Sequence, residues 1–493
     1  MTTEWFAPPG AGIGAVVQAT LRKALALYQG TPHASAWVHH HLRRLEAPLS
    51  VAIVGPRQAG KSTLLNALAG AELAATGTGT GIPVATWYTD GPTAQALAYS
   101  SDGSALELPM SSPGTGLGVV NGPDVPAETE RVMIEWPARS LRGIALIDTP
   151  GVDAPAASGP GWPRLMRTVA EADAVVYVTP RPRPSDVEFL EALHGSHLAR
   201  ANPVNVVVVF SRADEMGAGT VEAMVTARRI ARQHLRDSGL AALCQHILPV
   251  AGLLSEGART LQEPDFAALA GLAGVEQNAL SAILVSADRL AAAATPSVSA
   301  EARTRLLRRF GLYGIRLATT LIRRGFDTTR SLSAELTQRG GLVELRETIS
   351  QLFTGGQDVL KARSALLGLE TVLRSDPQPG TRDLFLEVRR LLADAHEFRE
   401  LRLLAALRAG RTGLPGDLVE EAVQLTGGHG SSPGERLGSE SGDDELIEIA
   451  EGALEQWRHY AENPLAAQSA RQAAQTVVRS CEGLIAALAP GLA

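Results

Sequence analysis

The sequence predicts an α/β domain, built on a mostly parallel sheet with helices on both faces, followed by an all-α helical-bundle neck or stalk. Three observations predict it. Between residues 49 and 254, short apolar runs of strand length alternate with stretches of helical period. The first of those runs passes directly into a glycine-rich turn and then into a helix pattern. Beyond about residue 265 the strand signal ends, and Leu, Ala, Arg and Glu recur at helical spacing almost to the last residue. The expected units are 1–48, N-terminal helices contributing to the neck; 49–264, the α/β domain; and 265–493, the neck and stalk.

In chain order, Ile13, Val17, Leu21, Ala24 and Tyr28 form one apolar helical stripe, and Trp37, Val38, Leu42 and Leu45 form a second after the break at residues 30–32. A stripe of this kind requires a partner helix. Strands are expected at 49–54, 144–147, 174–178, 204–210 and 247–250, because these runs are apolar on both sides, as buried parallel strands are. Helices are expected at 62–69, 162–172, 184–193 and 221–238. Residues 94–99 and 131–136 read as two more strands, the first opening a hairpin beside the main sheet at the turn 101–103. In the helical half, breaks fall at 340–341, 355–356, 376–380 and the Gly/Ser-rich 427–442.

The chain has 493 residues, 45% hydrophobic and 20% charged, with a formal net charge of -7, which argues against a nucleic-acid-coated protein. No apolar run reaches the ~18 residues of a membrane span, and the first residues lack the pattern of a signal peptide. The two cysteines, Cys244 and Cys481, have no metal or redox spacing, and a reducing cytoplasm is expected.

Function enters at the end of the first strand. Gly55-Pro-Arg-Gln-Ala-Gly60-Lys61-Ser62 followed by Thr63 is GxxxxGKS, placed between a strand and a helix as its mechanism requires. Backbone N–H groups of Gly55, Ala59 and Gly60 can close around phosphates, Lys61 can reach the β- and γ-phosphates, and the Ser62 hydroxyl can ligate Mg²⁺. The run 144–147 ends in Asp148-Thr-Pro-Gly151, a DxxG in which Asp148 can hold Mg²⁺ and the Gly151 N–H can sense the γ-phosphate. The run 206–210 ends in Ser211-Arg212-Ala-Asp214, similar to a guanine-reading [TN]KxD with Arg for Lys. The Asp214 carboxylate can accept from N1–H and the N2 amine of guanine, which adenine does not offer, while the Arg212 stem packs on the base. Ala251-Gly252 fits the weak last motif, whose backbone N–H groups meet the guanine oxygen. The α/β unit is therefore read as a P-loop GTPase domain that takes GTP or GDP with Mg²⁺.

Lys61 and Asp148 stand farther apart than a minimal switch GTPase requires, and helices bracket the domain on both sides. The stretches 61–70, 84–88, 147–151 and 210–216 resemble the bacterial dynamin-like proteins, and 310–316, 341–345 and 457–483 resemble more narrowly a mycobacterial isoniazid-inducible branch of them. This resemblance covers nearly the whole chain. It implies a dynamin-like GTPase, with heads meeting across the nucleotide as a homodimer or as a heteromer with a sister dynamin-like protein. It also implies a peripheral place on anionic lipids at the inner face of the plasma membrane, and a link to isoniazid and cell-wall-stress tolerance. Aligned on 84–88, Ile82 stands where the resemblance expects a switch threonine that reaches Mg²⁺ and the catalytic water; Thr78 or Thr80 could substitute if the loop shifts. Gln58 is the candidate contact to water or phosphate, and Arg57 either stabilises charge in cis or points to solvent. Slow or partner-dependent hydrolysis follows as the expectation.

Residues 299–341 carry nine arginines, among them Arg303, Arg305, Arg309, Arg316 and Arg323, against three acidic residues. They form either a surface for anionic headgroups or a bundle helix whose arginines pair with acidic neighbours such as 443–451. The basic turn 402–414, with Arg402, Arg408 and Arg411, is the candidate lipid contact. The run His39–His41 reads as a solvated helix face, since consecutive helical residues diverge. Two rivals stay open. One is a catalytically weak nucleotide-binding scaffold for an active sister protein. The other is an RNA- or ribosome-associated GTPase, disfavoured by the acidic balance and the lack of a KH-like GxxG.

Overall fold

The computed structural model describes residues 12–75, 82, 84–100, 103–110, 120, 124–152, 161–195, 205–237, 239–293, 297–408, 410–430 and 432–489. Among the described residues nine strands form one sheet: β1 (Leu49–Val54), β2 (Ala85–Asp90), β3 (Gln95–Ser100), β4 (Ala105–Glu107), β5 (Thr129–Trp136), β6 (Ile144–Asp148), β7 (Ala174–Thr179), β8 (Val206–Phe210) and β9 (His246–Pro249). Their order is β4-β3-β5-β2-β6-β1-β7-β8-β9. The five strands β6-β1-β7-β8-β9 are mutually parallel, and every residue of β7 and β8 is buried, which is why these segments read as unbroken apolar runs.

The expected hairpin is there, but it does not stand beside the sheet. β3 pairs antiparallel with β4 and β5, β5 pairs with β2, and β2 runs antiparallel to β6, so the hairpin lengthens the same sheet. The strand β2 was not expected as a strand; Trp87 and Tyr88 next to β-branched Thr86 and Thr89 are the signal for it.

The sheet's two faces follow the period-two alternation of its strands. Ala52, Val54, Val175, Tyr177, Val208 and Phe210 share one core with Leu306, Phe310, Leu317, Leu332 and Leu336 of the later helices. Val51, Ile53, Val176, Val178, Val207 and Val209 share the other with Leu64, Leu65 and Leu68 of helix Lys61–Ala69, and with Leu342, Leu345 and Phe353. Both cores of the α/β unit thus cross residue 264 and include helices up to Leu360. Helices Ile13–Leu27 and Pro32–Glu46 pack with Gln357–Ser375 and Thr381–Asp394 in a third core, and residues 403–484 hold a fourth. The N-terminal stripe therefore finds its partners more than three hundred positions away. Arg44 joins this bundle to the sheet, its Nη2 2.6 Å from the buried Asp173 carboxylate, which also accepts the Ser50 N–H at the start of β1.

The basic segment resolves as bundle. Helix Ala300–Arg323, broken at Gly311 (φ 62, a value that favours glycine), lies across a set of short helices. Its arginines donate to their terminal carbonyls: Arg303 to Leu290 and Ala291, Arg309 to Thr260, Arg316 to Leu284, and Arg323 to Ala273 and Val275. Those carbonyls lack intrahelical donors and carry the negative end of the helix dipole, so guanidinium groups suit them. Arg305 and Arg309 also clasp the buried Asp265 at 2.8 and 3.3 Å. The expected acidic partners at 443–451 are not the ones these arginines use.

The solvated reading of the histidines is corrected. His41 is buried against Trp37, with ring centroids 3.7 Å apart, and His40 is half-buried. Burial, reinforced by Arg44, lowers both; His40 falls to about 4. The signal was present in the helix period, since His41 lies three residues after the buried Val38 and four after Trp37. Among the described residues, no single helix is long and apolar enough to cross a membrane.

Candidate nucleotide-binding site

Strand β1 delivers the chain into the phosphate loop at the C-terminal edge of the parallel strands, where α/β folds place ligands. Helix Lys61–Ala69 starts on Gly60 in the left-handed conformation, and Gln58 (φ 58) is the one non-glycine residue with positive φ among those described. A non-glycine residue held there is uncommon and marks a loop whose shape is imposed by its surroundings. Lys61 is 7% exposed, and its ammonium donates to the carbonyls of Pro56 (2.9 Å) and Gly55 (3.3 Å), curled over the loop.

The Ser62 hydroxyl donates to Asp148 Oδ2 at 2.8 Å, which brings together the two residues expected to hold a metal. Asp148 Oδ1 is buried and has no hydrogen-bond partner. Burial raises the Asp148 carboxyl above its ordinary range, opposed by the Ser62 bond, the Lys61 charge and the Thr149 backbone N–H. An orphaned carboxylate oxygen beside a serine hydroxyl is a hard, oxygen-only donor set of the kind that suits Mg²⁺, and these residues fit that ion. Gly151 packs directly on the phosphate loop: a Cβ there would lie 2.7 Å from the Cα of Arg57. The DxxG segment and the phosphate loop are thereby in backbone contact.

A cavity of about 550 Å³ is lined by Gln58 through Thr63, Ala75, Ser211, Arg212, Asp214, Glu215, Gly252 and Leu253. The structure thus gathers the phosphate loop and the candidate guanine motifs around one space. Ser211 is fixed by its N–H to the Thr179 carbonyl (2.9 Å) and by its hydroxyl to the Ala59 carbonyl. Asp214 is half-buried; burial lifts its carboxyl to about 6, with Glu215 adding to the rise and its own backbone N–H and Arg212 opposing it. Glu215 holds Arg212 at 3.2 Å and Arg181 at 3.3 Å, so the Arg212 side chain is exposed but tethered.

Several expected residues sit elsewhere. Arg57 is exposed and is not part of the lining. Ala251 is buried, and its N–H donates to the Gly340 carbonyl at 2.9 Å, which leaves Gly252 as the member of that pair on the cavity. Thr78 and Thr80 lie outside the described residues. Ile82 is described, and its side chain packs against the core that holds Leu64 and Leu68. Two arginines of the basic turn have partners within the fold. Arg402 donates to the Leu392 and Ala393 carbonyls, and Arg408 donates to Gln245 Oε1 (3.4 Å) and the Gly428 carbonyl (3.3 Å). Arg402 and Arg408 are partly buried, and only Arg411 of the three is exposed. Ala75, Glu215 and Leu253 line the cavity without having been expected there; Glu215 follows the Asp214 motif directly, whereas nothing in their residue types marks Ala75 or Leu253.

No family model matches the chain. The isoniazid-induced protein IniC of Mycobacterium tuberculosis, in strain CDC 1551 / Oshkosh and in strain ATCC 25618 / H37Rv, is 35% identical over 484 residues, covering 95% of this chain and 98% of its own length. Two solved structures of an oligomerised bacterial dynamin pair, described as providing a mechanism for long-range sensing and tethering of membranes, cover 97% and 98% of this chain and 74% and 75% of theirs. Their identity is 13% and 14%, at a TM-score of 0.36.

Proposed function

Since this chain belongs to the family of the isoniazid-induced protein IniC, we propose that it is a dynamin-like protein that binds GTP and GDP with Mg²⁺ and hydrolyses GTP slowly. The observation that carries this reading is the buried Ser62–Asp148 pair, with Asp148 Oδ1 unpartnered, beside Lys61 and a cavity that also holds Asp214. Ser62 and Asp148 would hold Mg²⁺, which when bound supplies positive charge to the phosphate oxygens. Lys61 exchanges its two carbonyl partners for phosphate oxygens, a charge-assisted replacement that favours the anion. Ala59 to Ser62 line the cavity at a helix N-terminus, where free backbone N–H groups supply partial positive charge. Gln58, exposed on the cavity, is the candidate to orient the attacking water. Asp214 discriminates the base.

Slow chemistry follows from Ile82. A hydrocarbon side chain packed on the core offers neither a metal ligand nor a bond to water. The same observation favours a second reading, a nucleotide-binding scaffold that takes catalytic groups from a sister dynamin-like protein. Membrane association at the inner face of the plasma membrane, assembly with a copy or a sister, and a role in isoniazid tolerance are parts of the proposal that rest on the relatives. Titration with GDP, GTP and ATP, with Mg²⁺ and with chelator, tests the core of it. Binding confined to guanine nucleotides and strengthened by Mg²⁺ is expected; equal affinity for ATP would end the reading. Brisk GTP turnover by the purified protein alone would end the slow-hydrolysis clause.

A further inference from the structure

One helical turn behind the cavity, the side-chain amide of Asn66 is saturated. Its Oδ1 accepts the backbone N–H groups of Leu73 (2.9 Å) and Ala74 (2.8 Å), and its Nδ2 donates to the Ala74 carbonyl (3.0 Å) and to Glu256 Oε1 (3.1 Å). These four bonds use the whole capacity of a primary amide. Asn66 is 2% exposed, and Leu73 and Ala74 are buried in a segment outside any helix or strand, so this one side chain supplies the bonds that regular structure would otherwise provide.

The position of the cluster gives it a role. Asn66 follows Ser62 by one turn of helix Lys61–Ala69, and Glu256 follows Gly252 by one turn of helix Gly252–Arg259. Ser62 and Gly252 line the cavity, and so does Ala75, the residue after the bonded Ala74. Three walls of the cavity are therefore joined at one amide. We propose that Asn66 is a positioning residue, oriented by Glu256, that fixes the wall formed by Thr63, Ala75, Gly252 and Leu253 and so sets how long guanine nucleotide is retained. The proposal rests on the reading of this cavity as a guanine-nucleotide site. An amide acting only on the fold would alter unfolding without altering nucleotide release.

Release of a fluorescent GDP analogue from the full chain, followed by stopped flow alongside steady-state turnover and thermal unfolding, tests it with Asn66→Ala, Glu256→Ala and Glu256→Gln. Asn66→Ala is expected to release GDP about tenfold faster, roughly one buried hydrogen bond's worth of the four lost being felt at the cavity, with KM raised and kcat retained. Glu256→Ala is expected to move release in the same direction by several-fold. Glu256→Gln keeps an acceptor for Asn66 and is expected to restore the wild-type rate. Should Asn66→Ala fail to fold, the two Glu256 variants decide, since the other three Asn66 bonds remain in both. Unchanged release in Asn66→Ala or Glu256→Ala, or a Glu256→Gln variant as fast as Glu256→Ala, overturns the positioning role alone. A wild-type chain that binds no GDP overturns the site reading instead.

Discussion

On the proposed reading of the cavity, Asp214 carries both recognition and a pH response in one side chain. Its carboxyl is raised to about 6 by burial, and only the carboxylate accepts two N–H groups from guanine at once. As pH falls through about 6 the group takes up a proton, so GDP affinity is expected to be level above about 7 and to weaken progressively from pH 7 to 5, as read by titration across that range. Asp214→Asn should abolish this dependence, lower guanine affinity about 100-fold by leaving buried polar groups mismatched, and favour xanthosine diphosphate, whose C2 oxygen accepts from the new amide. Asp148 and Ser62 form a second residue-scale pair. Ser62→Ala leaves a buried carboxylate with neither oxygen bonded to a hydroxyl, and the expected outcome is loss of the Mg²⁺-dependent part of nucleotide affinity, checked by titration with and without chelator.

At the scale of elements, helix Ala300–Arg323 acts as a clasp for the short helices on which it lies. Arg303 is 6% exposed and donates to the Leu290, Ala291 and Val298 carbonyls. Arg303→Met removes those donors from buried acceptors and is expected to cost about 2–4 kcal/mol of stability in denaturant unfolding, with GDP affinity of the folded fraction unchanged. The helix Pro32–Glu46 has its own signature. His40 and His41 are lowered by burial, so the unfolded chain takes up protons at its ordinary histidine value while the folded chain does not. Stability is therefore fully present above about 6.5 and is lost as pH falls from there toward about 4. His41→Leu is expected to flatten that loss in thermal unfolding followed from pH 7 to 5, provided the leucine keeps contact with Trp37.

At the scale of the whole molecule, the sheet that carries the candidate nucleotide cavity shares its cores with later helices. The phosphate-loop helix ends on Arg346, which donates to the Ala67 and Leu68 carbonyls, and the chain continues from there through a single π turn, Ser350–Thr354, into helix Gln357–Ser375 of the N-terminal bundle. This is a short covalent and hydrogen-bonded route from the phosphate-loop helix to the N-terminal bundle. With two of the three arginines of the basic turn bonded to acceptors within the fold, the expected outcome in liposome sedimentation is weak binding of the isolated chain that changes little between neutral and anionic vesicles. Addition of a sister dynamin-like protein is expected to raise both sedimentation and GTP turnover. Strong, charge-dependent binding by the chain alone would return the basic turn to a lipid role.

Much of this protein could be read along the chain because the physics concerned is local. A glycine-rich turn between an apolar strand and a helix, Asp148 and Asp214 at the ends of apolar runs, and two helical stripes before residue 46 are features of sequence spacing. They located the five parallel strands to within one or two residues, and of the residues they named, Gln58 to Thr63, Ser211, Arg212, Asp214 and Gly252 line one cavity while Arg57 and Ala251 do not. The partners of buried polar groups could not be read that way, since a hydrogen bond or ion pair joins whatever the fold brings near. Arg303, Arg309, Arg316 and Arg323 are alike in sequence, and only packing shows that they donate to carbonyls at helix ends. His41 looked solvated in a run of three histidines until helix Gln357–Ser375 covered it. The Ala251 N–H, bound to Gly340, and the Asn66 amide, bound to Leu73, Ala74 and Glu256, belong to the same class. What the sequence determined by itself was the chemistry available at each strand end. Which of those groups face the cavity, and which are consumed in holding it, was decided by contacts between segments as much as three hundred positions apart.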